Sequence, residues 1–72
     1  MSDIKISLKA VRANAGKTQD EWAEMLGVTR VTVKNWESGI TKPDIDKVRM
    51  MSEVSKIPMD CIFLPSNPNI SN

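Results

Sequence analysis

Apolar residues recur along this chain at helical spacing, and no stretch alternates convincingly at the two-residue period of a half-buried strand. Leu8, Val11 and Ala15 fall at i, i+3 and i+7, which predicts a first amphipathic helix over residues 7–15, stopped by Gly16. In the TQDE that follows, Thr18 and Glu21 have the spacing of a capping box. The hydroxyl can accept from the Glu21 backbone N–H, and the carboxylate can reach back. Trp22, Ala23 and Leu26 give this second helix its inner face, and Gly27 ends it. Thr29 is placed to cap a third helix with Val33 and Trp36 inside, closed by Ser38-Gly39. After the linker ITKP, Asp44 caps a fourth helix whose stripe is Ile45, Val48 and Met51 and which runs to about residue 55. Residues 58–64 are expected to add a fifth helix of one or two turns, presenting Met59, Ile62 and Phe63. The expected architecture is all-α, with five short helices in one domain over 1–64. The polar tail 65–72, PSNPNISN, is expected to be poorly ordered.

Composition narrows the function. A chain of 72 residues has room for one folded unit, since a domain usually takes about 100–200. With 40% hydrophobic and 26% charged residues it belongs among globular chains rather than disordered ones. So small a domain hides only about 60% of its unfolded surface, which argues against an enzyme with a deep pocket. There is no histidine and one cysteine, Cys61, which excludes imidazole acid–base chemistry, Cys/His zinc sites and a disulfide framework. Asp44 and Asp46 lie at a helix start, where the dipole alone favours acids. Neither a nucleophile–base pairing nor a phosphate-cradling glycine loop is present. No catalytic residue, metal or cofactor is therefore expected. No apolar run approaches the roughly 18 residues of a membrane span, and MSDIKIS has no signal-peptide core, so a cytoplasmic location without a membrane partner is expected. The net charge is +1, weak for a nucleic-acid binder, but it is unevenly placed. Residues 1–42 hold seven Lys/Arg against five Asp/Glu, and the remainder three against four, so a polyanion would meet the first part.

Residues 18–39, TQDEWAEMLGVTRVTVKNWESG, read as two short helices around a glycine-containing turn. In a helix-turn-helix (core 18–38) the first helix crosses the DNA backbone and the second enters the major groove. Ala23 is small where the two helices come closest, and Gly27 stands where a left-handed turn is needed. Val28 and Val33 hold the second helix against the core, which leaves Arg30, Val31, Lys34 and Asn35 on its outer face.

With those residues in view, the chain resembles the lambda-type Cro/repressor (XRE) helix-turn-helix family. Matching positions are Arg12, Thr18-Gln19, Ala23, Gly27-Val28-Thr29, Val33, Glu37, Gly39, Pro43, Ile45, Val48 and the Ile57…Asp60…Ile62-Phe63 end, over about residues 7–64. The resemblance implies a compact lambda-repressor-like fold and a sequence-specific regulator of transcription bound to a double-stranded DNA operator. Within it Gln19 looks like the family's phosphate-contacting glutamine, which also braces the first residue of the recognition helix. Arg30, Val31 and Asn35 occupy base-reading places: arginine can bond guanine bidentately, asparagine adenine, and valine can pack on a thymine methyl. Thr32, Lys34, Ser38, Thr41 and Lys42 take phosphate-contacting places, and Arg12 and Glu37 match a structural ion pair. Lys17, Trp22, Ser52, Ser55, Pro58 and Cys61 depart from the family pattern, and the serines are expected to thin the core on the fourth helix.

Some of these residues have plainer readings. Val31 suits a thymine methyl or a protein partner; Lys34 suits a phosphate contact or plain solubility. Trp22 and Trp36 are expected in the core, Cys61 as a small buried hydrophobe, and Met50 exposed. A single module of this size buries only about 600–1,000 Å² on DNA, which favours a homodimer on half-sites about 34 Å apart. By family analogy its surface would be residues 59–64. The single-domain length suits a phage or prophage Cro-like protein. The alternative is a modulator or antirepressor of a phage switch, which would bind a partner repressor protein.

Overall fold

The computed structural model describes residues 4–64, so the expected tail 65–72 lies outside the described residues. Four α-helices form: α1 (Leu8–Asn14), α2 (Gln19–Leu26), α3 (Arg30–Ser38) and α4 (Ile45–Ser55). Each starts at an extended residue whose side chain accepts a backbone N–H three residues on: Ser7 from Ala10, Thr18 from Glu21, Thr29 from Thr32, and Asp44 from Lys47. The Thr18 box is reciprocal, because Glu21 Oε1 accepts the Thr18 N–H at 2.9 Å. Gly27 ends α2 at φ +74° with open space around a would-be Cβ, so the backbone angle alone selects glycine there. Lys56 takes the same left-handed turn after α4, at φ +66°, without glycine's freedom. Two serines close this end of α4: Ser52 Oγ donates to the Ile57 carbonyl, and Ser55 Oγ accepts the Ile57 N–H. The expected loss of apolar surface at these positions is thus matched by a hydrogen-bonded turn, with Ser55 only 2% exposed.

The capping box predicts a pH response. The Thr18 backbone N–H holds the Glu21 carboxyl below its ordinary value, with a further lowering from Lys17. A depressed folded-state value adds stability above the unfolded carboxyl's range, and that stability is lost as pH falls through the folded value. Denaturant midpoints measured down the acid range should therefore fall less steeply for Glu21→Gln than for the parent chain. Equal slopes would show that this carboxylate does not contribute.

The fifth helix does not form. Residues 59–61 make a single 3₁₀ turn (Met59–Cys61), closed by the Cys61 N–H on the Pro58 carbonyl at 2.9 Å. Pro58 is extended at φ −57°, ψ 143° and carries no side-chain cap. The chain then straightens into β2 (Ile62–Phe63), which pairs in parallel with β1 (Ile6–Ser7), Ile6 opposite Ile62 and Ser7 opposite Phe63. Strands of two residues are too short to leave an alternation in the sequence. Ile62 is buried by this pairing, so of the expected dimer surface Phe63 alone is a large exposed hydrophobic, at 47%.

One core unites the helices: Leu8, Val11, Trp22, Ala23, Leu26, Val33, Trp36, Val48, Met51, Ile57 and Ile62 are all buried. Ile45 does not belong to it; it is 61% exposed, and α4 buries Val48, Met51 and Ser55 instead. Met50 and Cys61 are half-buried rather than exposed and buried respectively. Among the described residues no helix is long and apolar enough to cross a membrane.

Candidate nucleic-acid interface

Helix α3 is anchored by Val33, with no exposed surface, and Trp36, at 5%, so the face opposite them is turned outward. At 3.6 residues per turn that face is centred on Val31, Lys34, Asn35 and Ser38, with Arg30 and Glu37 on the flank nearer α2 and Thr32 on the other. Val31 is 63% exposed and the Arg30 side chain 66%. Lys34 and Ser38 are exposed; Asn35 and Thr32 are half-buried. A β-branched apolar side chain thus stands in solvent beside the cations Arg30 and Lys34.

Beneath the α2-side flank runs a polar chain that links three helices. Arg12 meets Glu37 as a fork, Nε donating to Oε2 at 2.7 Å and Nη2 to Oε1 at 3.2 Å, while Nη1 donates to the Lys17 carbonyl at 3.0 Å. The pair is largely buried, with side chains 13% and 9% exposed. Gln19, the first residue of α2, donates Nε2 to Glu37 Oε1 at 3.1 Å and turns its amide oxygen toward Arg30 Nε at 3.5 Å. Gln19 therefore touches both the ion pair and the first residue of α3. Its position also puts it among the unpaired N–H groups that open α2, a setting that suits an anion.

The hydroxyls are partly committed within the protein. Thr32 Oγ1 lies 2.9 Å from Thr29 Oγ1, so one of the two protons stays free to donate outward. Ser38 Oγ donates its only proton to the Lys34 carbonyl at 2.9 Å. The turn after α3 folds back so that the N–H groups of Gly39, Ile40 and Thr41 all converge on the Asn35 carbonyl. That brings exposed Thr41, with exposed Lys42 next in the chain, to the C-terminal end of α3. The sequence-derived residues therefore fall into a group on the α2 flank (Gln19, Arg30), an outer strip (Val31, Lys34, Asn35, Ser38) and a C-terminal group (Thr41, Lys42).

One neighbour was invisible in the sequence reading. Asp20 Oδ1 lies 3.8 Å from Arg30 Nε, with both side chains exposed. As a first-turn acid Asp20 is accounted for by the helix dipole, and nothing local in TQDE shows that it meets Arg30, ten residues on.

Compared with known proteins, the chain matches a family model described as helix-turn-helix over residues 8–60. That range holds all four helices and every residue named above as part of the interface. No curated protein and no solved structure matches.

Proposed function

The chain belongs to the XRE-type helix-turn-helix family of DNA-binding proteins, and from that premise we propose that it regulates transcription by reading double-stranded DNA in sequence-specific fashion, with α3 in the major groove. The observation that carries this reading is the outer face of α3, where Val31 and Arg30 stand mostly in solvent and Lys34 and Ser38 are exposed. Arg30 and Asn35 offer bidentate partners for guanine and adenine, and Val31 an apolar surface for a thymine methyl. Gln19, Thr32, Lys34, Thr41 and Lys42 hold the register on phosphates; Ser38 does so once it releases the Lys34 carbonyl. Arg12 and Glu37 act beneath them as structural members. Two copies on a pseudo-palindromic site would supply the contact area that one lacks.

Selection of bound sites from random duplexes at two salt concentrations tests this. A dyad-symmetric motif is expected, with log affinity falling against log salt at about 0.9 per phosphate neutralised. Asn35→Ala should then relax discrimination at one base pair by about 1–3 kcal/mol while the thermal midpoint hardly moves. A large fall in that midpoint would instead make Asn35 structural.

The exposure of Val31 favours a second reading, in which the outer face of α3 binds a partner repressor protein. Val31→Lys separates the two. Stronger binding to random duplex supports the DNA reading, whereas loss of a heterodimer that responds little to salt supports the partner protein.

A further inference from the structure

Given the DNA-binding reading, on which this inference rests, we propose that Asp20 is an intramolecular competitor for Arg30 that holds it against α2 in the free chain and weakens duplex binding most where a base draws Arg30 away. The Arg30 guanidinium lies between two acceptors on the first turn of α2, Gln19 Oε1 at 3.5 Å and Asp20 Oδ1 at 3.8 Å. Both contacts are long, and the two charged side chains are 66% and 73% exposed, so Arg30 is biased toward α2 but not locked there. Asp20 is also spare as a capping group: Glu21 closes the box with Thr18, and among the described residues Arg30 is the one side chain paired with the Asp20 carboxylate.

The charge arithmetic gives the tether its effect. Gln19, the phosphate-contacting residue in this reading, is the chain neighbour of Asp20, so a docked backbone brings its charge near the carboxylate. On a random duplex Arg30 has no base to hold and stays with Asp20, where it neutralises the carboxylate instead of a phosphate. On a matching site Arg30 leaves for guanine and gains a bidentate contact, but the chain gives up the pair and leaves the carboxylate uncovered near the backbone. Asp20 thus lowers affinity for all DNA, and most where Arg30 leaves for its base, because the free chain holds the pair and that complex does not.

The test measures affinity for the selected site and for random duplex in the parent chain, Asp20→Asn, Glu24→Gln, Arg30→Ala and the Asp20→Asn/Arg30→Ala pair. Glu24→Gln makes the same charge change one turn along α2, and among the described residues Glu24 has no ion pair. Asp20→Asn is expected to tighten the selected site about three- to fivefold, as fits a weak surface pair, and to tighten random duplex less. Its salt slope on random duplex should steepen by about one phosphate as Arg30 is freed. Glu24→Gln should leave the ratio of affinities nearly unchanged, and Asp20→Asn should leave it unchanged once Arg30 is alanine. An unaltered ratio in Asp20→Asn, an equal effect from Glu24→Gln, or an effect that survives in Arg30→Ala each overturns the tether. If the parent chain selects no motif at all, the DNA reading itself fails and the role of Asp20 falls with it.

Discussion

Glu37→Ala is expected to destabilise the fold by about 3–5 kcal/mol, the scale for breaking a buried ion pair from one side. The side chains of Arg12 and Glu37 are only 13% and 9% exposed, so the Arg12 cation would be left in the protein with the Lys17 carbonyl as its remaining partner. A domain's whole stability is usually about 5–15 kcal/mol, and one this small lies toward the low end. Urea titration should therefore show a variant partly unfolded in buffer. Glu37→Gln keeps the shape and one acceptor and should lose less. An unchanged midpoint in Glu37→Ala, with DNA affinity lost, would move Glu37 from the scaffold to the interface. Gln19 makes that comparison informative, because it would lose its Glu37 partner while keeping Arg30.

Trp22→Ala should cost a similar amount, about 3–5 kcal/mol, for a different reason. Trp22 is the largest of the fully buried side chains, at 1% exposure on α2, and its removal opens a cavity where α2 packs against α3 and the rest of the core. Trp22→Leu leaves a smaller void and should cost clearly less if the core can close around it. Thermal midpoints of the two variants check this. A midpoint for Trp22→Ala within a degree or two of the parent's would show that the tryptophan is not part of the packed core.

How far each element was legible follows from how far its determinants reach. Thr18, Thr29 and Asp44 cap their helices through bonds to residues three further on, and Gly27 meets a purely local backbone requirement. Four helices and the tryptophan positions could therefore be read from short windows of sequence. The fate of residues 58–64 could not: helix or strand there depends on Ile6 and Ser7, more than fifty residues away, which offer a parallel edge. Ile45 fits the apolar stripe of α4 in spacing, yet only packing shows that the helix leaves its first turn in solvent.

The interface divides along the same line. Periodicity turns Val33 and Trp36 inward, and because a helix has a fixed pitch, their burial sends Val31 and Lys34 outward; that much was contained in the order of the residues. The partners of the outward groups were not. Gln19, Asp20 and Arg30 meet because α2 and α3 cross at a particular angle, and that angle depends on how Trp22, Ala23, Leu26, Val33 and Trp36 fill a shared volume. Local hydrogen bonds choose the helices; close packing among distant side chains chooses which charges face each other across them.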